Sequence, residues 1–418
     1  MIYLRIKNII YIFLLIGLIE FIWSYPYNGY EHTGIRRLKR LQMIKDGQLK
    51  GTSLPIGGQK QITDIKLNLL GSRGDSLQFI PKEDAVLQKK IETLFPNRDE
   101  SYSLALLDIT SGKPFRFASR QMERQFSPGS VGKLAIVAGL FTELSRLYPD
   151  STERRLALLK SRIVTADKWI IYDTHPIPVF NLETNQIIYR AVKEGDLFSL
   201  FEWTDHMLSA SANSAASIVW KELILMRVFG NRYPVSYEEE NELFARTPKL
   251  ELQKIALSVV NDPLRTIGIA EKDWQLGSFF TNTGKKMIPG AGSFASPKGL
   301  MQYLIALERG KIVDEWSSLE IKRLMYMTAK RIRYASAPAL EKAAVYFKSG
   351  SQYKCRPEEG FECGKYMGNV QNYMNSVAII EQPDGPVYLV VLMSNVLKKN
   401  SAVEHQTLAT YINRLITK

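Results

Sequence analysis

Cysteine is nearly absent from this sequence: two residues, Cys355 and Cys363, in 418. So low a count excludes a disulfide-built scaffold and any Cys-rich zinc module. Histidine is scarce as well, and the four present (His32, His175, His206, His405) show no metal-ligand spacing. No glycine-rich phosphate loop opens a helix. A G-x-S-x-G elbow around Ser130 would need glycine at 128, where Pro128 stands. Neither a zinc-finger spacing nor an aromatic-basic RNA motif gives the net charge of +13 a nucleic-acid reading. Repeats and low-complexity segments are missing too. These absences leave no nucleic acid, no metal and no cofactor to argue for.

No uninterrupted run reaches the roughly 20 apolar residues that a membrane span needs. The longest candidate, residues 9–19, stops at Glu20. Arg5 and Lys7 precede it, and Ser24 follows as a small residue before Tyr25-Pro26. A basic start with a short apolar core is the layout of a secretory signal, so residues 1–24 are expected to be a signal peptide or, uncleaved, a membrane anchor through residues 8–24. Export to a bacterial periplasm or cell envelope fits the cysteine pair. In an oxidising compartment Cys355 and Cys363 are expected to close a small loop as a disulfide.

What is present reads as ordinary globular protein, 45% apolar and 23% charged. Residues 25–83 are basic and punctuated by Gly and Pro, and are expected to form an extension with a short strand or two. Its cluster Arg36–Arg40 reads as a solvated face or a contact to an anionic surface. "DAVLQKKIETLF" (84–95) has helical spacing, with Val86, Ile91, Leu94 and Phe95 along one side. Two strand-like runs then flank a turn at Ser111-Gly112-Lys113. From about 145 to 335 the chain reads as helical. Three strands follow, the last two joined at Pro383-Asp384-Gly385, and a helix capped by Ser401 closes the chain. The order predicts an α+β sandwich: an antiparallel sheet of about five strands flanked by terminal helices, with an all-helical lobe inserted between the strands. Residues 84–418 are expected to form one catalytic domain with a cleft between sheet and lobe.

Three short patterns carry chemistry. In "QFSPGSVGKLAIVAGLF" a turn ends at Ser130, an apolar helix begins, and Lys133 lies three residues on. Residues three apart share a helical face, so the amine can reach the hydroxyl and take its proton. S-x-x-K recurs at Ser351–Lys354, but only Ser130 follows a hairpin and opens an apolar helix. The second pattern, Ser211-Ala212-Asn213, supplies a hydroxyl that can relay a proton and an amide that can hold a carbonyl. As a plain alternative, Ser209 or Ser211 would merely cap a helix. The third, Lys348-Ser349-Gly350-Ser351, lies on an inferred strand. Its amine and hydroxyl suit a carboxylate, and its glycine lets a ligand approach the Ser351 N–H.

The order S-x-x-K, S-x-N, K-[S/T]-G resembles the penicillin-recognising serine enzymes, and most of all their class A β-lactamase branch, over roughly residues 85 to 418. The resemblance implies the β-lactamase/transpeptidase fold. It implies Ser130 as acylated nucleophile, Lys133 as its base and Ser211 as shuttle to the leaving nitrogen. Asn213 would bind the substrate amide, Lys348 and Ser349 its carboxylate, and the N–H groups of Ser130 and Ser351 the oxyanion. Lys348 near Lys133 is expected to lower the pKa of Lys133. Ala212 replaces the Asp of the class A pattern, and Ser349 its Thr. The class A loop glutamate is missing, because "GSFFTNTGKKMIPG" holds no acid and Glu238–Glu242 read as a solvated run.

The implied function is an exported serine hydrolase acting on a small-molecule β-lactam or related D-alanyl amide. A peptidoglycan D,D-peptidase with slow β-lactam deacylation, or a wall-binding protein that keeps the cleft, are the other readings. A monomer is expected.

Overall fold

The computed structural model describes residues 24–171 and 173–418. The leader or anchor read at residues 1–24 lies outside these residues except for Ser24. Among the described residues no helix is long and apolar enough to cross a membrane.

Five strands form the main sheet: β1 (Ser103–Asp108), β2 (Arg116–Arg120), β3 (Ala344–Lys354), β4 (Gln371–Glu381) and β5 (Val387–Asn395). They run antiparallel in the order β2-β1-β5-β4-β3. The helices that bear on the site are α1 (Ala85–Glu92), α2 (Lys133–Leu147), α3 (Asn213–Phe229) and α4 (Ala402–Thr417).

Side chains on a strand alternate faces, and both faces of this sheet are covered. Leu104 and Leu106 of β1 join Val390 and Leu392 of β5 under α1 and α4, where Leu87, Ile91, Leu408 and Ile412 are buried. Ala105, Leu107, Leu389 and Val391 face the other way, into the larger core shared with the lobe. Hence the strands read as apolar runs. In α1 the buried seam is Leu87 and Ile91, whereas Val86, expected on that side, is 65% exposed. Asp84 caps the helix by accepting from the Leu87 N–H at 2.7 Å. Ser401 stands at the start of α4 but does not cap it; its hydroxyl turns instead to the Met374 sulfur, 3.6 Å away.

The lobe is not purely helical. Strand pairs Ile163–Thr165 with Leu197–Ser199, Ile177–Phe180 with Ile187–Arg190, and Trp274–Gln275 with Phe294–Ala295 interrupt it. The middle pair has a local cause: Asn185 takes positive φ (55°) and the Asn181 N–H closes the turn on the Gln186 carbonyl.

The segment after Ser24 also differs from expectation. It holds helices rather than strands, Tyr30–Thr33 and Arg36–Lys45. Ile35, Leu38 and Leu41 recur every third residue and enter the larger core. The basic cluster is partly internal: Arg37 is buried against Asp205 (Nη2–Oδ1 2.5 Å), and Arg36 meets Glu202 (Nε–Oε1 2.8 Å). Ser24 is itself buried and its carbonyl accepts from Arg37. A cut immediately after Ser24 would therefore strip Arg37 of an acceptor. The acidic run is likewise not all solvated, since Glu240 is buried against Lys221 (Nζ–Oε1 2.5 Å).

Candidate active site

Phe126 pairs with Ala295 in an isolated bridge, and a 3₁₀ turn, Gly129–Gly132, then delivers Ser130 directly ahead of α2. In a 3₁₀ turn residues three apart eclipse one another, which brings Lys133 over Ser130. Lys133 is wholly buried; its Nζ donates to Ser130 Oγ (3.0 Å), to Asn213 Oδ1 (2.8 Å) and to the Ser211 carbonyl. The ring of Phe280 covers the amine from 4.9 Å.

Ser211 sits between the helix Leu200–Leu208 and α3 with φ +58°. That left-handed conformation is uncommon for serine and costs of order 1 kcal/mol. It lets one residue serve two lysines, its carbonyl taking Lys133 and its hydroxyl taking Lys348 Nζ at 2.8 Å. Neither Ser209 nor Ser211 caps α3. The N-cap is Ala212, without a side-chain bond, and the first turn is served by Asp173 from another loop, which accepts the Ser214 N–H at 2.7 Å. A carboxylate thus reaches this turn although position 212 has none.

Strand β3 supplies the third wall. Lys348 is 1% exposed, donating also to the Ser349 carbonyl at 3.1 Å. Beyond it β3 presses on the nucleophile turn. A Cβ on Gly350 would fall 2.1 Å from the Pro128 carbonyl oxygen and 3.1 Å from the Ser130 nitrogen. A Cβ on Gly129, which holds φ +52°, would fall 2.9 Å from the Ser351 nitrogen. Only glycine permits this approach, which brings the Ser130 and Ser351 amides together. Asn375, opposite Gly350 on β4, fastens the turn by donating to the carbonyls of Ser127 (2.9 Å) and Pro128 (3.1 Å).

Burial decides the charges. It lowers Lys133 to about 7, against a smaller upward pull from Asp173. Lys348 is held well below the ordinary lysine range, first by burial, then by the charges of Lys133 and Arg333. The expected influence thus runs from Lys133 onto Lys348, and the lowering of Lys133 is a desolvation effect. The cleft between sheet and lobe has a volume of about 1430 Å³ and reaches Ser130, Ser211, Asn213 and Ser349.

The three patterns therefore converge on one place. Sequence reasoning missed Asp173, Arg333 and Asn375. Arg333 lines the cleft, donates to the Gly350 carbonyl (3.2 Å) and Ser351 Oγ (3.1 Å), and lies over the Tyr366 ring. It is reached only through the fold, and "KRIRYAS" carries no signal for it. Cys355 and Cys363 form a disulfide in the β3–β4 loop. That loop brings Lys365 and Tyr366 to the rim of the cleft.

The profile of the β-lactamase enzyme family (Beta-lactamase2) matches residues 86–417. The chain belongs to this family. Its fold is similar to that of the extended-spectrum β-lactamase TLA-3 (12% identity, TM-score 0.52, covering 79% of this chain and 97% of that one). It is also similar to a β-lactamase from Chitinophaga pinensis (16% identity, TM-score 0.50, covering 79% and 98%). The extended-spectrum β-lactamase TLA-1 stands at 14% identity and TM-score 0.50, covering 81% and 100%. At these identities the likeness is one of fold. A search of curated protein sequences finds no match. As a family member the protein is a hydrolase of the β-lactamase type.

Proposed function

We propose that the protein is an exported serine hydrolase that forms an acyl-enzyme on Ser130 with β-lactams or related D-alanyl amides. The observation that carries this reading is the Lys133–Ser130 bond at 3.0 Å with an amine lowered to about 7. An amine at that value is a competent base near neutrality. Lys133 takes the Ser130 proton, Oγ attacks the amide carbon, and the oxyanion is held by the N–H groups of Ser130 and Ser351. Ser211 passes the proton to the leaving nitrogen. Arg333 makes the far wall cationic, and Lys348 and Ser349 add hydrogen-bond donors, which together suit a substrate carboxylate.

A second observation favours slow turnover, as in a D,D-peptidase. Residues 277–290 carry no acid, and the aromatic ring of Phe280 lies over Lys133. Thr281 in that segment is occupied structurally, donating to the Trp169 carbonyl at 2.8 Å and capping the next helix. Glu239 and Glu242 are paired with Arg232 and Arg246 on another helix. Incubation with a fluorescent penicillin, followed by gel and intact-mass analysis, tests the reading. One covalent equivalent on the wild type and none on Ser130→Ala is expected; an unlabelled wild type overturns it.

A further inference from the structure

The residues around Lys133 leave open what activates water once Ser130 is acylated. We propose that His175, oriented by Asp173, is the base that activates water for hydrolysis of the Ser130 acyl-enzyme, an inference that rests on the function just proposed.

Asp173 and His175 stand on the loop before the strand Ile177–Phe180; Asp173 is bonded to the start of α3 through Ser214, and His175 lines the cleft with Ser211 and Asn213. Asp173 is nearly enclosed, its side chain 3% exposed, and both oxygens are in use. Oδ2 accepts the Ser214 N–H at 2.7 Å; Oδ1 accepts the His175 N–H at 3.1 Å and faces His175 Nδ1 at 2.6 Å. Oδ1 thus accepts twice and Oδ2 once, so most of the acceptor capacity is taken. The carboxylate can, however, fix a neighbour. Burial opposes its ionisation, yet the hydrogen bond and the charge of His175, with the backbone N–H groups of Ser214 and His175, outweigh burial and hold the carboxyl well below its usual range. An ionised Asp173 only accepts, so whenever the imidazole is neutral Nδ1 is the donor and Nε2 carries the lone pair. Nε2 has no hydrogen-bond partner among the described residues, and the imidazole is 42% exposed at the cleft.

This is the arrangement a general base needs: a buried acid behind, a fixed tautomer, and a free basic nitrogen toward the cleft. His175 lines the same cleft as Ser211, through which the leaving nitrogen departs in the proposed acylation. Water entering the vacated place meets His175. Nε2 removes a proton as the water oxygen bonds to the acyl carbon. The tetrahedral intermediate then expels Ser130 Oγ, and the imidazolium returns its proton through water to that oxygen, so that acid and the free enzyme with a neutral Lys133 result.

The test follows the benzylpenicillin adduct on the full chain by intact mass, timing its formation and, after free drug is removed, its loss. His175→Gln should form the adduct within about twofold of the wild-type rate and retain it about a hundredfold longer or more, the usual effect of losing a general base. His175→Gly with added imidazole should recover loss of the adduct in proportion to imidazole, which a merely structural role would not produce. Unchanged adduct lifetime in His175→Gln, or no response of His175→Gly to imidazole, overturns the proposal and leaves the acylation reading standing. Failure of the wild type to form any adduct overturns both.

Discussion

Lys348 on the sheet and Ser211 on the lobe are joined by a single hydrogen bond of 2.8 Å across the cleft. The bond links the two halves of the molecule through the chemical site itself. Lys348 has no carboxylate within ion-pair range among the described residues, so this buried amine is an electrostatic cost retained for its effect on a ligand. Lys348→Ala should lower the second-order acylation rate by about 10²-fold or more. Its melting temperature should equal or exceed that of the wild type. Stopped-flow labelling and calorimetry check the pair, and a large loss of stability would show Lys348 to be structural.

The acylation rate should rise with pH through about 7, because Lys133 acts as base only when neutral and burial sets its midpoint there. Phe280→Ala opens the amine to water, weakens desolvation and moves the midpoint up toward the ordinary lysine range. Labelling rates of both proteins from about pH 5 to about pH 10 locate the two limbs. A limb that stays put in Phe280→Ala would show that the ring does not control the amine.

Gly350→Ala asks a Cβ to lie 2.1 Å from the Pro128 oxygen, so β3 must retreat from the nucleophile turn. Separating the Ser130 and Ser351 amides should reduce acylation by about 10²–10³-fold, the cost of one oxyanion donor. Wild-type labelling by Gly350→Ala would remove these amides from the mechanism.

Thiol titration of the unfolded, unreduced protein should find no free cysteine, because Cys355 and Cys363 are joined. Replacing both by serine should cost about 2–3 kcal/mol in the chain-entropy model of a short loop. It should also slow acylation by loosening the rim that carries Tyr366. Two titratable thiols would reject the bond.

Patterns that fold along one element were legible in the sequence, and patterns made by tertiary contact were not. Ser130 and Lys133 meet because they are one turn apart, and the same spacing at Ser351 and Lys354 is chemically empty. On β3 those residues point to opposite faces, and Lys354 is exposed. The five strands were readable from turn chemistry and apolar runs. Asp173 reaches the start of α3 from 41 positions earlier in the chain, and Asn375 reaches the Pro128 carbonyl from 247 positions later. No local period marks such residues. Arg37 was misread for the same reason: its partner Asp205 lies 168 positions on, so a buried arginine looked like part of a solvated basic run.

The central claim is that Ser130 is the nucleophile activated by Lys133. Peptide-resolved mass spectrometry after brief benzylpenicillin exposure tests it most directly. The account predicts a single penicilloyl adduct on the peptide containing Ser130, lost in Ser130→Ala and strongly slowed in Lys133→Ala. An adduct on Ser351 or Ser211, or one that survives Ser130→Ala, would contradict it.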